Sequence, residues 1–594
     1  MSKTFAEKIL GAPQGAILFR KPDLVLSHDN SASIRKTFEK MAGVRVHDPG
    51  QLVIVLDHNA PPTTAQLANS YRAIREFAEE QGISRFHDEG EGICHQLMAK
   101  YARPGMLIVG SDSHTCTAGA FNALAAGIDR TETAGLWLRG ETWFRVPSSL
   151  KITLTGRLQQ GVYAKDLSLW IIGMLGAAGA NYISIEFHGE GVRTLSISDR
   201  MTVANLASEM GAKNAVFPAD EVLWEYLGAR VEGIRADEDA VYSEELSIDL
   251  GEICPLVAAP HQVDNVFALA EVAGREIHQA LIGTCTNGRI EDLREAAAML
   301  SGRKVKTGIQ MQVIPASREI FRQAIDEGLV STFLDAGANI LSSSCGPCLG
   351  TGQGIPADDT IVISSANRNF PGRMGNPKAE IYLASPATVA LSAVNGHITD
   401  PREKPGEEKF PYRREQPEEV TIREGDLRRY QGVWDYSDCD NLNTDQMFAG
   451  TLTYKVPSSE PEAILPHLFE GFDPAFAREV RTGDVVLGGE NFGCGSSREH
   501  PTVGLARAGI RAVMVKSVNR IFYRSAINQG LPVVVHPDAV RSFCRGDQIE
   551  VDFSRGVIRV GSSEFRFVPL PGRLQEILQA GGMVNWIAAG TRTD

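Results

Sequence analysis

At 594 residues the chain is too long for one compact core, and its 43% hydrophobic and 22% charged residues are the proportions of an ordinary globular protein rather than a disordered or fibrous one. The formal net charge is -14, from 59 basic and 73 acidic side chains, and no local basic patch offsets it, which opposes nucleic acid or an acidic membrane as partner. Nine cysteines, without the dense even spacing of a disulfide scaffold, point to a reducing compartment.

In chain order, the opening MSKTFAEKIL has no apolar signal core, and the longest nearly apolar run, residues 169–180, is short and rich in Gly and Ala. No membrane span and a cytoplasmic location are expected. Short apolar runs then alternate with helical patterns: LVIVL (52–56), MLIVG (106–110), ALIG (280–283), TIVIS (360–364) and AVMV (512–515). Between the first two, Leu67, Tyr71, Ile74 and Phe77 form one stripe of an amphipathic helix. This alternation predicts an α/β fold with mainly parallel sheets. Residues 401–431 are dense in charge and proline and read as a linker. It separates a large part, residues 1–400, divisible into further subdomains, from residues 432–594. No internal repeat of solenoid period is present.

Residues suited to chemistry cluster just after the strand-like runs. Asp57 and His58 follow the first, Asp112, Ser113 and His114 the second, Cys285 the third, and Asn367 and Arg368 the fourth. Ligands of open α/β sheets sit beyond the carboxyl ends of strands, so four strands are expected to feed one site.

Four constellations carry chemistry. Cys285 in GTCTNG and Cys345 and Cys348 in SCGPCLG supply three thiols. Three thiolates do not close a structural zinc site without a fourth ligand, but they can hold three irons of a 4Fe-4S cube and leave the fourth open as a Lewis acid. A redox Cys-x-x-Cys, or a zinc pair with Cys285 unrelated, is the plainer reading of the same spacing. Asp57 with His58, His95 in EGICHQ, and Asp112-Ser113-His114 supply imidazoles steered by carboxylates, suited to protonating a poor leaving group such as hydroxide. Each histidine alone could equally be a hydrogen-bonded core residue. In GGENFGCGSSREHP (488–501), a glycine-rich turn leads into Ser496, Ser497, Arg498 and a predicted helix, where amides and the guanidinium would stabilise an anion. The plainer reading of the serines is a helix cap. Finally, SANRNFPGR (365–373) sets Arg368 and Arg373 around a turn, either a carboxylate clamp or a surface loop.

The motifs DHNAP, GSDSHT, TCTNGRIEDL, CGPCLG, NRNFPGR and GENFGCGSSREHP, spread from Asp57 to Pro501, resemble those of the aconitase superfamily, most closely its 3-isopropylmalate dehydratase and homoaconitase branch. The resemblance implies an aconitase-like large part with mixed and parallel sheets plus a C-terminal swivelling β/α domain. The large and small subunits would be fused in one chain, with the active site between them and no separate small subunit needed. It implies a 4Fe-4S cluster on Cys285, Cys345 and Cys348 with one open iron, and Ser496 as the alkoxide base. Asp57 with His58, and Asp112 with His114, would be acid pairs with His95 close by. Asn205 and Glu209 of TVANLASEMGA would stand near the open iron, and Arg368, Arg373, Arg498, Ser113 and Ser497 would hold substrate carboxylates.

Two departures bear on substrate. Aconitases proper place an arginine just before the DN-x-NTDQ loop, where this chain has Tyr436, which argues against citrate. After that loop, isopropylmalate enzymes continue with a proline and arginine-containing turn, whereas here the chain reads Met447-Phe448-Ala449-Gly450-Thr451. The expected activity is therefore a hydro-lyase moving a hydroxyl along a di- or tricarboxylic hydroxy acid, with 3-isopropylmalate as first choice and citrate (aconitate hydratase), homocitrate and dimethylmalate as alternatives. An RNA-binding regulator lacking the cluster is the rival from another class, opposed by the net charge and the complete residue set. A catalytically silent metal-binding or scaffold protein is another.

Overall fold

The computed structural model describes residues 2–414, 420, 422, 428–453 and 455–590. The chain forms two compact units. The first comprises Met1–Asp29, Pro49–Gly127 and Phe144–Gln416, and the second Asn30–Asp48, Ile128–Trp143 and Pro417–Asp594.

Three sheets organise the first unit. In a five-stranded parallel sheet, Leu24–Ser27 lies between Leu52–Val55 and Leu107–Gly110, with Phe86–His87 and Leu124–Gly127 at the edges. The three inner strands are buried at every position, as strands covered on both faces must be, and this is why they read as unbroken apolar runs. The stripe Leu67, Tyr71, Ile74 and Phe77 is the buried face of the helix Ala65–Gln81. Thr64 opens that helix by accepting the Leu67 amide, and Gly82 closes it in the left-handed region that favours glycine.

The second sheet has seven strands. Its inner strand Gln279–Gly283 is flanked in parallel by Ile361–Ser364 and Gln310–Ile314, with antiparallel pairing only at one side. A third sheet of four parallel strands contains Ser148–Thr155 and Ile183–His188. The apolar run at 169–180 lies mostly in the buried helix Ala164–Leu175, and among the described residues no helix is long and apolar enough to cross a membrane.

The second unit is built on Val433–Tyr436, Val485–Gly488, Ala512–Val515 and Val533–Val535, all parallel, with Arg429–Tyr430 antiparallel at one edge. A small antiparallel sheet, Ile549–Asp552, Val557–Val560 and Ser563–Arg566, accompanies it. Two segments from the first 400 residues also belong to this unit, an arrangement the sequence reading did not anticipate. The helix Ser31–Lys40 of one segment packs on the helix Arg130–Arg139 of the other, and that second helix is held by a buried polar network. Glu132 pairs with Arg524 at 2.5 Å with both side chains fully buried, Asp129 accepts from Asn528 at 2.6 Å, and Glu499 accepts from Thr131 Oγ1 at 2.8 Å and Ser458 at 2.9 Å. Buried charges require such partners, and only residues distant in sequence supply them.

The segment expected as a linker, 401–431, is anchored over its first half. Phe410 packs edge-on against Trp170 in the core of the first unit, and Arg414 donates to the carbonyls of Met174 and Leu175 at the end of the helix Ala164–Leu175. Residues 415–419, 421 and 423–427 of that segment lie outside the described residues.

Candidate active site

The four segments singled out by their position after strands converge within the first unit. Directly after Leu52–Val55, Asp57 Oδ1 lies 2.8 Å from His58 Nδ1, and Asp57 Oδ2 accepts the Cys94 amide at 2.7 Å, so the carboxylate is fixed from two sides. After Leu107–Gly110, Asp112 accepts the His114 amide at 2.8 Å and opens the 3-10 helix Ser113–Phe121. Its side chain also faces His95 Nε2 at 2.8 Å and His58 Nε2 at 3.6 Å. One carboxylate thus steers two imidazoles. The partner of His114 differs from the expected one: its Nε2 lies 2.8 Å from Glu209, and its Nδ1 reaches Asp112 only at 3.5 Å.

Glu209 in turn accepts from Arg368 Nε at 2.9 Å, and Arg368 donates to Ser113 Oγ at 3.1 Å. Asn367, Arg368, Asn369 and Arg373 are all buried, so SANRNFPGR is no surface loop.

The three thiols stand beside this network. Cys285 follows Gly283, whose φ of 125° and close approach to the Ile314 carbonyl leave no room for a side chain. The Cys345 and Gly346 amides donate to the carbonyls of Asp57 and His58 at 3.2 and 3.3 Å, which ties the cysteine loop to the acid-base loop. Asn205 Nδ2 and Asn367 Nδ2 point at Cys285 Sγ at 3.5 and 3.6 Å, and Arg373 points at Cys348 Sγ at 3.6 Å. Amide and guanidinium donors aimed at sulfur suit thiolates holding a cationic metal centre.

The charges follow from these contacts. Burial opposes ionisation of Asp112, but hydrogen bonds from His114, His58 and His95 hold its carboxyl well below the usual range. Burial likewise opposes Glu209, and Arg368 and His114 bring it down to about 2. His58 is discharged by burial, yet Cys345, Asp57 and Asp112 around it raise it well above an ordinary imidazole. Burial pushes the Cys345 thiol up to about 11 and raises Cys285 further. Without a metal cation to displace their protons, these thiols stay neutral.

Sequence reasoning missed three participants. His28 stacks on His58 with ring centroids 3.7 Å apart. Asp29 accepts the amides of Asp57, His58 and Asn59 at 2.9, 3.1 and 2.9 Å, and the Tyr71 hydroxyl at 2.5 Å. Both follow the strand Leu24–Ser27, so the placement rule that found the others would have found them. The third, Lys165, is fully buried and donates to the Ser365 and Ala366 carbonyls just before Asn367, and it carried no such signal.

In the second unit, Ser496 is held by its amide, which donates to Thr444 Oγ1 at 3.0 Å, and its Oγ accepts the Arg498 amide at 3.4 Å. It does not cap the following helix, His500–Arg507, whose N-cap position is Glu499. Gly493 and Gly495 both adopt positive φ, and a side chain at Gly493 would collide with the Phe522 ring. Arg498 donates to Asp445 Oδ1 at 2.7 Å and to the Phe448 carbonyl at 3.0 Å, and among the described residues its buried Nε and Asp445 Oδ2 have no hydrogen-bond partner. Ser497 beside them is partly buried. Tyr436 points into the core, where its hydroxyl donates to Asp473 at 2.8 Å, so this position offers no group to a carboxylate ligand. Tyr454 lies outside the described residues.

Comparison with known proteins gives a consistent result. Residues 3–276 and 270–396 match the family described as aconitase family (aconitate hydratase), and residues 438–538 match the aconitase C-terminal domain. The chain is 46% identical over 415 residues to the 3-isopropylmalate dehydratase large subunit 1 of Methanopyrus kandleri, covering 68% of this chain and 99% of that one. It is 46% identical over 417 residues to the 3-isopropylmalate dehydratase large subunit 2 of Archaeoglobus fulgidus, covering 68% and 100%. It is also 46% identical over 387 residues to the probable methanogen homoaconitase large subunit of Methanosarcina mazei, covering 64% and 98%.

Proposed function

The chain belongs to the aconitase family and is a hydro-lyase, and from that premise we propose that it is a fused 4Fe-4S dehydratase acting on a malate-type hydroxy acid, with 3-isopropylmalate as the first substrate to try. The family implies an iron-sulfur cluster. Cys285, Cys345 and Cys348 are the ligands in this reading, and the observation that carries it is the convergence of three buried or half-buried thiols, with donors aimed at sulfur, on the Asp57, Asp112 and Glu209 network. When bound, a cluster with one iron free of protein ligands supplies a Lewis acid for a substrate hydroxyl and carboxylate.

The protein's own groups do the rest. Ser496 removes the proton from the carbon beside a carboxylate, with the Arg498 amide stabilising its alkoxide. The raised imidazole of His58, held by Asp57 and Asp112, keeps a proton near neutral pH for the departing hydroxyl. His95, on the opposite oxygen of Asp112, and His114, on Glu209, are the further proton carriers. Asn205 orients groups beside Cys285, and Arg368, Arg373 and Arg498, with Ser113 and Ser497, bind carboxylates. Rehydration at the neighbouring carbon runs the same groups in reverse.

The fusion rests on the large-subunit relatives ending where about two thirds of this chain is covered, followed by the C-terminal domain match at 438–538. No separate small subunit is then required, and the cytoplasm is the setting that nine unbridged cysteines suit. Citrate is disfavoured because Tyr436 stands where an arginine would be needed.

The test is anoxic. After cluster reconstitution, kcat/KM for 3-isopropylmalate, homocitrate, dimethylmalate and citrate is measured from enoate absorbance. Preference for 3-isopropylmalate supports the substrate assignment, preference for another acid replaces it, and turnover of none with a loaded cluster removes the dehydratase reading.

A further inference from the structure

The first turn of the helix Ala164–Leu175 carries Lys165 and Asp166, both fully buried. The aspartate is accounted for: its oxygens accept the amides of Tyr163 and Leu256, each at 2.8 Å. The lysine has no such plain role. Among the described residues it forms no ion pair, and its ammonium donates only to backbone carbonyls, to Ser365 at 3.0 Å and to Ala366. A buried ammonium without a counter-ion is costly. Burial pushes its ammonium down to about 7, and negative charge on Cys348 first, then on Cys285, Glu209 and Asp166, opposes that loss.

Its two carbonyl partners belong to the turn immediately before Asn367 and Arg368. The same turn is tied to the strand that precedes Cys285, since the Ser365 amide donates to Leu281 and its Oγ accepts the Gly283 amide at 3.0 Å. One side chain therefore holds the turn that aims Asn367 at Cys285 and Arg368 at Glu209.

We propose that Lys165 is a positioning residue with two tasks: it clamps the turn at Ser365 and Ala366, and it supplies the buried positive charge that balances a thiolate-held cluster. The inference rests on the reading that Cys285, Cys345 and Cys348 carry that cluster. The compact ammonium suits both tasks, because it offers several donors from a point charge in a space closed to solvent. Nearby charge and hydrogen bonding around the ligands are levers on the reduction potential of an iron-sulfur centre.

The experiment compares full-length wild type with Lys165→Met, Lys165→Gln and Lys165→Arg, all reconstituted without oxygen. Iron per chain, the midpoint potential from an EPR-monitored redox titration, and kcat and KM separately are measured. Lys165→Gln keeps a donor and loses the charge, whereas Lys165→Arg keeps the charge. The expected result is a more negative midpoint potential in both neutral variants, a return toward the wild-type potential in Lys165→Arg, and a kcat about 10- to 100-fold lower in Lys165→Met. A wild-type potential in Lys165→Gln overturns the electrostatic task, as does failure of all three variants to fold, because charge retention would then not have helped. Wild type that takes up no iron defeats the cluster reading itself, whereas loaded wild type with unshifted variants defeats only the role of Lys165.

Discussion

The side chains that matter most are ordinary residues made unusual by what surrounds them. Ser496 is the clearest case, a serine with no basic side chain on its hydroxyl among the described contacts, only a backbone amide at 3.4 Å. Ser496→Ala is expected to lower kcat by about 10²- to 10⁴-fold, the usual worth of a positioned proton-transfer group, with iron content unchanged; full turnover would remove it as the base. His58 supports a second expectation. Its conjugate acid is raised by the anions around it despite burial, so the proton it holds is lost only above the pH at which a free imidazole titrates. The alkaline limb of kcat/KM should therefore lie above that of free histidine, and Asp112→Asn should move it to lower pH. A limb that stays put in Asp112→Asn would take His58 out of the acid role.

Among the elements, the loops after the strands depend on groups that sequence reading reached unevenly. The apolar runs gave away the strands Leu52–Val55, Leu107–Gly110, Gln279–Gly283 and Ile361–Ser364 because each is buried on both faces. Leu24–Ser27 obeys the same rule but was not picked out among the apolar runs, so His28 and Asp29 went unread. Lys165 was hidden for a different reason: a lysine at the start of an apolar helix looks like a solvated end, and only its contacts with Ser365 and Ala366 reveal otherwise. Asp29 holds three consecutive amides of the Asp57 loop, so Asp29→Asn, which turns an acceptor into a donor facing them, should destabilise the first unit by about 2 kcal/mol. An unchanged thermal midpoint would contradict that role. Glu209→Gln should cost more, about 3 kcal/mol, because it strands the buried Arg368.

For the chain as a whole, the family, the fold class and most of the residues that converge in the first unit were legible, while the membership of the two units was not. Residues 128–143 join the second unit through partners such as Arg524 and Asn528, nearly 400 positions away, residues 30–48 join it through the helix Ser31–Lys40 packed on Arg130–Arg139, and no local pattern encodes such pairings. That network has its own signature. Burial, with Glu132 and Glu499 nearby, raises the Asp129 carboxyl to about 8. A carboxyl raised on folding holds its proton in the folded state, so stability is full below the unfolded value of roughly 4 and declines as pH climbs toward 8. Asp129→Asn should abolish that decline, read as a smaller loss of thermal midpoint between pH 6 and pH 9 than in wild type. Equal losses would show that Asp129 is ionised throughout.

The proposed function makes this one polypeptide a complete iron-sulfur dehydratase. The most direct measurement is anoxic turnover of 3-isopropylmalate by the reconstituted chain purified alone, beside Cys345→Ser treated identically. The expected result is enoate formation by wild type with no second polypeptide added, and loss of both iron and activity in Cys345→Ser. Turnover that appears only when a separate small subunit is supplied, or that survives in Cys345→Ser with its iron intact, would contradict it.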